Sequence, residues 1–327
     1  MSRRTVDRGW SLTLALRWVA RRAGGRIDLD DLHAALGLPM LVCAVPREPD
    51  LSLWVTYARD AFLDRTAHSF GLVVRAVHPP DAACGLESAE GFQQHFDASY
   101  RPLIETALDN NQPVLAWRGW NADREGLWGV ITRKCDEGAG FAGSVFGLDP
   151  DEPECKGVAL ASPPVQVYFV ERITQAAPAA EERLTQALEH AVGALNNTQG
   201  KRFGAITGPA AFDAWIDRLE PRTVTGNASA ISGITVAARA HQSLAVSTVT
   251  SHQDMLSFLQ RHFDYAKPDQ LPRVEALMST CTRLIDALAE LTDPGIIREL
   301  MQTSAGLSEL SNHLVRARTA CAEASHG

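Results

Sequence analysis

The 327-residue sequence predicts an α/β chain of the α+β kind, with helices first, then an antiparallel sheet, then a helical second half. Three observations carry this. Between about residues 72 and 173, apolar β-branched runs follow one another with Gly, Pro and Asn between them, as neighbouring antiparallel strands do. After Pro178 the apolar residues recur at three- and four-residue spacing, the period of helices with one buried face. The same spacing opens the chain, where Trp10, Leu14 and Trp18 form a stripe beside Leu12, Leu16 and Val19.

Taken in order, the first helix runs from Trp10 to Ala23 and stops at Gly24-Gly25. Asp28 caps a short second helix, LDDLHAALG, which ends at Gly37. Pro39, Pro46 and Pro49 punctuate an irregular stretch. A helix over Leu53–His68 precedes the strand LVVRAV, and another covers Phe92–Leu108. Asn110-Asn111-Gln112 makes the turn into PVLAW, a strand joined through RGWNADREG to LWGVITRK. SVFGLDP, VALAS and VQVYFVERI continue the sheet to about Ile173. The helices that follow cover Ala179–Leu195, a segment opened by Gly208-Pro209 with Phe212, Trp215, Ile216 and Leu219 on one face, then Val236–Phe263, Val274–Leu291 and Pro294–Ala322. Arg222–Ile234, rich in Gly, Ser, Thr and Asn, reads as a linker. Two domains follow, residues 1–175 and 176–327.

Hydrophobic residues make up 45% and charged residues 21%, enough apolar material for a full core. The net charge of −8 disfavours a polyanionic partner. Arginines cluster only before residue 23, short of the basic face that a nucleic-acid footprint needs. No run approaches the ~20 apolar residues of a membrane span. The basic-then-apolar start is interrupted by Arg17 and lacks a small-residue cleavage site, so an amphipathic helix explains it better than a secretion signal. The six cysteines are scattered without a C-x-x-C pair, the pattern of reduced thiols in a cytoplasmic protein. No His pair has metal-ligand spacing, and the expectation is of no metal and no cofactor.

Three short motifs stand in a recognisable order: NQPVLAW (111–117), GLWGVI (126–131) and LDP (148–150). Their order resembles the papain-like fold of the C39-like peptidases, and most of all the group that includes the amino-terminal domain of the butirosin-biosynthesis H protein. The element G-x-x-A-F-D-x-W-I-x-x-L, Gly208 to Leu219, and Ala238-Arg239 after it extend the resemblance, which covers roughly residues 9 to 290. It implies a papain-like half followed by a helical half. It also implies a cysteine near the start of the first long helix, activated by the positive helix end and a histidine on a central strand, with an Asn or Asp to orient that histidine. Here Gly9-Trp10-Ser11-Leu12 opens the helix without a cysteine, Leu127 stands in the histidine position, and only Asp149 keeps the expected type.

The chain holds seven tryptophans, and Trp117, Trp120 and Trp128 fall within twelve residues. Two readings are open: core packing on paired strands with Trp120 as turn anchor, or a ligand pocket lined by these three and Trp10. Ser11 reads as an N-cap, or as a nucleophile if a base stands beside it. Cys43 reads as a small buried residue, and His68, His78 and His95 as solvated. Gly138, Gly140 and Gly143 match G-x-G-x-x-G, but a strand follows where a nucleotide fold needs a helix, so a hairpin turn explains them. The acidic run DPDEPE reads as a solvated loop rather than a calcium site. The favoured function is a non-catalytic papain-like protein that binds a small molecule or peptide. Alternatives are an acyltransferase or amide hydrolase with another nucleophile, and an assembly role through the helical half, whose stripes Met255, Leu256, Leu259, Phe263 and Leu277, Leu284, Leu288, Leu291 suit a core or a homo-oligomer contact.

Overall fold

The computed structural model describes residues 8–22, 27–40, 43–44, 66–77, 89–121, 127–135, 140–146, 154–172, 180–196, 206–219 and 228–326. They form two compact units. One contains the described residues up to Leu32 and those from Thr66 to Arg172; the other contains His33–Met40, Cys43–Ala44 and the described residues from Ala180 onward. The sequence assigned residues 33–44 to the sheet half. They group with the helices because Ala34 and Met40 belong to the helical core, and the His190 ring nitrogen Nδ1 donates to the Ala35 carbonyl at 2.6 Å.

The sheet unit begins with α1 (Arg8–Arg22) and the first turn of α2 (Leu29–Ala35). Asp28 accepts from the Asp30 amide at 3.0 Å, the expected cap, and Gly37 (φ +67) follows the helix. Of the helix expected over 53–68, only residues 66–68 are described, and they are helical. The helix expected over 92–108 is α3 (Ala89–His95), a π-helical turn at Phe96–Tyr100 and α4 (Arg101–Asp109). Pro102 carries no amide hydrogen, so the regular ladder cannot run unbroken through this point, and the wide turn lies just before it.

Six strands form one antiparallel sheet: β2 (Leu72–Ala76), β3 (Val114–Trp117), β4 (Trp128–Lys134), β5 (Phe141–Phe146), β6 (Glu154–Ala159) and β7 (Gln166–Arg172), in the order β2-β7-β3-β4-β5-β6. Side chains alternate between its faces. Val114, Ala116, Ile131, Val145 and Val167 face the layer of Phe96, Tyr100 and Ile104 on the helices between β2 and β3. The other face takes α1, which packs on β4 and β5. Two expectations change here. Gly143 lies inside β5 rather than in a turn, with the Cys135 amide donating to the Gly140 carbonyl at 3.0 Å, while Gly138 lies outside the described residues. Glu154, expected in a solvated loop, is the first residue of β6, and one of its carboxylate oxygens accepts from Trp18 Nε1 at 3.0 Å and from Ser144 Oγ at 2.8 Å. Glu154, the last residue of that run, is held at the sheet by two donors on the α1 face that satisfy its carboxylate, and the rest of the run lies outside the described residues.

The helical unit holds a two-residue pairing of β1 (Cys43–Ala44) with β8 (Ile206–Thr207), and the helices α5 (Ala180–Leu195), α6 (Pro209–Ile216), α7 (Ala228–His262), α8 (Leu271–Leu288), α9 (Pro294–Leu300) and α10 (Ser304–His326). Gly208 (φ +66) comes so close to the end of α5 that a Cβ there would lie 2.1 Å from the Leu195 carbonyl oxygen. Residues 228–234, expected as linker, are the first two turns of α7; the weak propensities of Ser, Thr and Gly yield to continuity with a 35-residue helix. The single helix expected over 294–322 is two, because Thr303 Oγ1 accepts from the Gly306 amide at 3.0 Å and starts a new helix. The apolar stripes are buried as expected, with Met255, Leu259, Leu277, Leu284, Leu288 and Leu291 at 1% exposure or less, and Leu256 and Phe263 packed at the margin.

Candidate functional site

Ser11 lies inside α1, not at its cap, and is fully buried. Its Oγ accepts a hydrogen bond from the Trp128 amide at 3.1 Å, tying the helix to the start of β4. The N-cap reading is therefore corrected: the hydroxyl satisfies a strand amide, a job the sequence could not show because the partner lies 117 residues away. Leu127, 7% exposed, packs in the layer beneath α3 and α4, on the opposite face from α1. Side chains at 11 and 127 thus point to different sides of the sheet. Asp149 lies outside the described residues.

The three clustered tryptophans are buried in the sheet unit. Trp117, Trp120 and Trp128 are 1–2% exposed. Trp117 and Trp128 sit directly opposite on β3 and β4, with ring centroids 6.4 Å apart and stacked, and Trp128 continues to Tyr168 at 5.8 Å. Trp120 is on the other face, its indole so close over β4 that a Cβ on Gly129 would lie 2.4 Å from it. Trp10 stands in the first turn of α1. The packing reading of Trp117, Trp120 and Trp128 follows from the alternation: neighbours across two strands share a face, and a residue three further on does not.

Two of the described thiols find a poor setting for chemistry, while Cys84 and the side chain of Cys43, expected to be buried, lie outside what is described. Cys281 and Cys321 are buried in the helical core, and the loss of solvation pushes both thiols up to about 12. Cys135 and Cys155, on the sheet, are half-buried. His68 and His95 are exposed, and His78 lies outside the described residues. Among the described residues no group of three His, Cys, Asp or Glu side chains could hold a metal, and no helix is long and apolar enough to cross a membrane.

Two arrangements escaped the sequence. The first is a polar seam inside the helical unit. Ser251 Oγ lies 3.5 Å from His33 Nε2, and His252 Nδ1 donates to the Thr248 carbonyl at 2.7 Å, all among buried residues. Burial lowers His33 to about 3 and His252 to about 4, because a buried imidazolium loses its hydration. Thr248 with His252, and Ser247 with Ser251, recur at four-residue spacing in α7, a signal that the sequence did carry.

The second is a cavity of about 440 Å³ in the sheet unit, at the C-terminal end of α1. Val19, Leu72, Pro113 and Val170 give it an apolar lining. Arg22, Asn110, Asn111, Gln112 and Glu171 give it polar groups. Arg22 lies over the Trp18 ring at 5.0 Å, and Gln112 Nε2 donates to the Val170 carbonyl at 3.3 Å. Asn111 takes φ +56, which the amide side chain tolerates after a helix end. The sequence reading saw Asn110-Asn111-Gln112 only as a turn; the cavity needs a helix end, two strands and that turn to meet. No family model matches the chain, and no curated protein matches it.

Proposed function

We propose that this chain is a non-catalytic member of the papain-like, C39-like group, related to the amino-terminal domain of the butirosin-biosynthesis H protein, and that it acts by binding a small molecule or peptide. One observation carries the reading. Where the group's nucleophile is expected, the Ser11 hydroxyl is fully buried and accepts the Trp128 amide, with apolar Leu127 in the histidine position and turned to the other face. A nucleophile must reach its substrate, and a fully buried hydroxyl that holds a strand amide is not placed to do so. The antiparallel sheet with a helix packed on β4 and β5 is in keeping with the resemblance. Ligand binding falls to the cavity beside Arg22 and Glu171 rather than to the tryptophans.

The enzyme alternative has one specific candidate among the described residues, Ser251 beside His33. Its base is weak: an imidazole lowered to about 3 by burial has little pull on a serine proton. Iodoacetamide labelling of the folded protein from pH 5 to 9, read cysteine by cysteine, tests the reading. Cys281 and Cys321 stay protected, and no thiol reacts ahead of its free counterpart below pH 8. One thiol alkylated fast at pH 6 would be an activated nucleophile and would overturn the proposal.

A further inference from the structure

The cavity at the end of α1 has an apolar floor and one sign of charge at its rim. Its volume of about 440 Å³ lies within the range of roughly 300–1,000 Å³ that ligand pockets occupy. Leu72 and Val170 share the sheet face that carries α1, since Val170 pairs with Val74, two residues beyond Leu72 on β2, and Val19 of α1 closes over them. Glu171 is next along β7 and so points to the opposite face, where its two carboxylate oxygens accept from Arg75 at 3.3 and 3.4 Å. Its charge is answered there, away from the cavity. Arg22 is then the cation of the lining. Its guanidinium lies 5.0 Å over the Trp18 ring, and among the described residues no carboxylate pairs with it. The Asn110 and Asn111 side chains are exposed at the same rim.

We infer that this cavity binds an aliphatic monocarboxylate, its carboxylate on Arg22 and its hydrocarbon chain against Val19, Leu72 and Val170. The inference rests on the ligand-binding reading above and names its site and ligand class. The guanidinium fork matches the two oxygens of a carboxylate, and the Asn110 and Asn111 amides hold N–H groups that can add to it. A single guanidinium balances a single negative charge, which favours a carboxylate over a doubly charged phosphate monoester. Helix ends do not reverse this preference. The carbonyls that end α4 accept from the Asn110, Asn111 and Gln112 amides, and the end of α1 brings a partial charge of about −0.5, smaller than the full charge of Arg22.

The probe is octanoate, titrated calorimetrically into the whole chain, beside butanoate, which shortens the chain, octan-1-ol, which removes the charge, and octyl phosphate, which raises it. Saturable one-to-one binding of octanoate is expected. Octanol binds about tenfold more weakly for want of the charge-assisted bond, butanoate at least about tenfold more weakly for want of buried methylenes, and octyl phosphate no more tightly. Arg22→Gln brings octanoate to the level of octanol and leaves octanol unchanged. Arg133→Gln, at an exposed position of β4 outside the cavity lining, changes neither. Both substitutions are at the surface, and an unchanged far-UV spectrum certifies the fold. Absence of saturable octanoate binding, or an equal loss in the two variants, overturns the site. Octanol binding as tightly as octanoate, or octyl phosphate binding more tightly, overturns the ligand class. None of these results touches the non-catalytic reading, which the thiol labelling decides by itself.

Discussion

Acid should loosen the helical unit through two named histidines. His33 and His252 are held neutral by burial, lowered from the ordinary 6.5 to about 3 and about 4. Between those values and 6.5 the unfolded chain binds a proton at each site that the folded chain refuses. Stability is therefore complete above about pH 7 and falls as the pH drops, until the folded-state values are reached. At pH 5 the free imidazole lies 1.5 units above the pH, so each histidine costs about 2 kcal/mol at 1.36 kcal/mol per unit, about 4 kcal/mol for the pair. That is a large share of a typical stability of roughly 5–15 kcal/mol. Urea unfolding at pH 7.5 and pH 5.0, followed by helical circular dichroism, measures the loss. His252→Asn keeps a donor for the Thr248 carbonyl and removes the titration, so its loss between the two pH values should shrink by about 2 kcal/mol. A wild-type loss no greater than that of the variant would refute the reasoning, because the histidines would then be solvated in the fold.

Three other expectations follow from single contacts. Ser11→Ala leaves the Trp128 amide buried without its acceptor and should cost about 1–3 kcal/mol in urea unfolding followed by tryptophan fluorescence; no cost would mean that water reaches the amide. Gly129→Ala puts a Cβ 2.4 Å from the Trp120 indole and 2.7 Å from the Ser144 carbonyl oxygen, and should destabilise the sheet by about 1–3 kcal/mol or more, with a shifted Trp120 emission. Asp293→Ala removes the cap that accepts from the Gly295 amide at 2.6 Å; hydrogen exchange in α9 should speed up by the equivalent of about 1 kcal/mol, and unchanged exchange would show that the cap contributes nothing.

The local periods were legible. Apolar spacing of three and four located α1, α5, α7 and α8, and apolar β-branched runs between turn residues located β2, β3, β4 and β7, because these signals depend on residues close together in the chain. Breaks inside helices were less legible. Thr303 starts a new helix through a bond to the Gly306 amide, just after the previous one ends at Leu300. Residues 228–234 erred the other way: turn-forming residues were carried into α7.

For the site, residue type alone established that no cysteine precedes position 43. Which face each side chain takes was decided only by the fold. Trp117 and Trp128 share a face because their strands pair in register, while Trp120, three residues on, crosses to the other and rests on Gly129. The acceptor of the Trp128 amide, the partner of His33 and the walls of the cavity each join residues far apart in the chain, with Ser251 some 218 positions from His33. Spacing along a chain reports the nearest few neighbours; burial, charge partners and pKa depend on what packing brings from elsewhere.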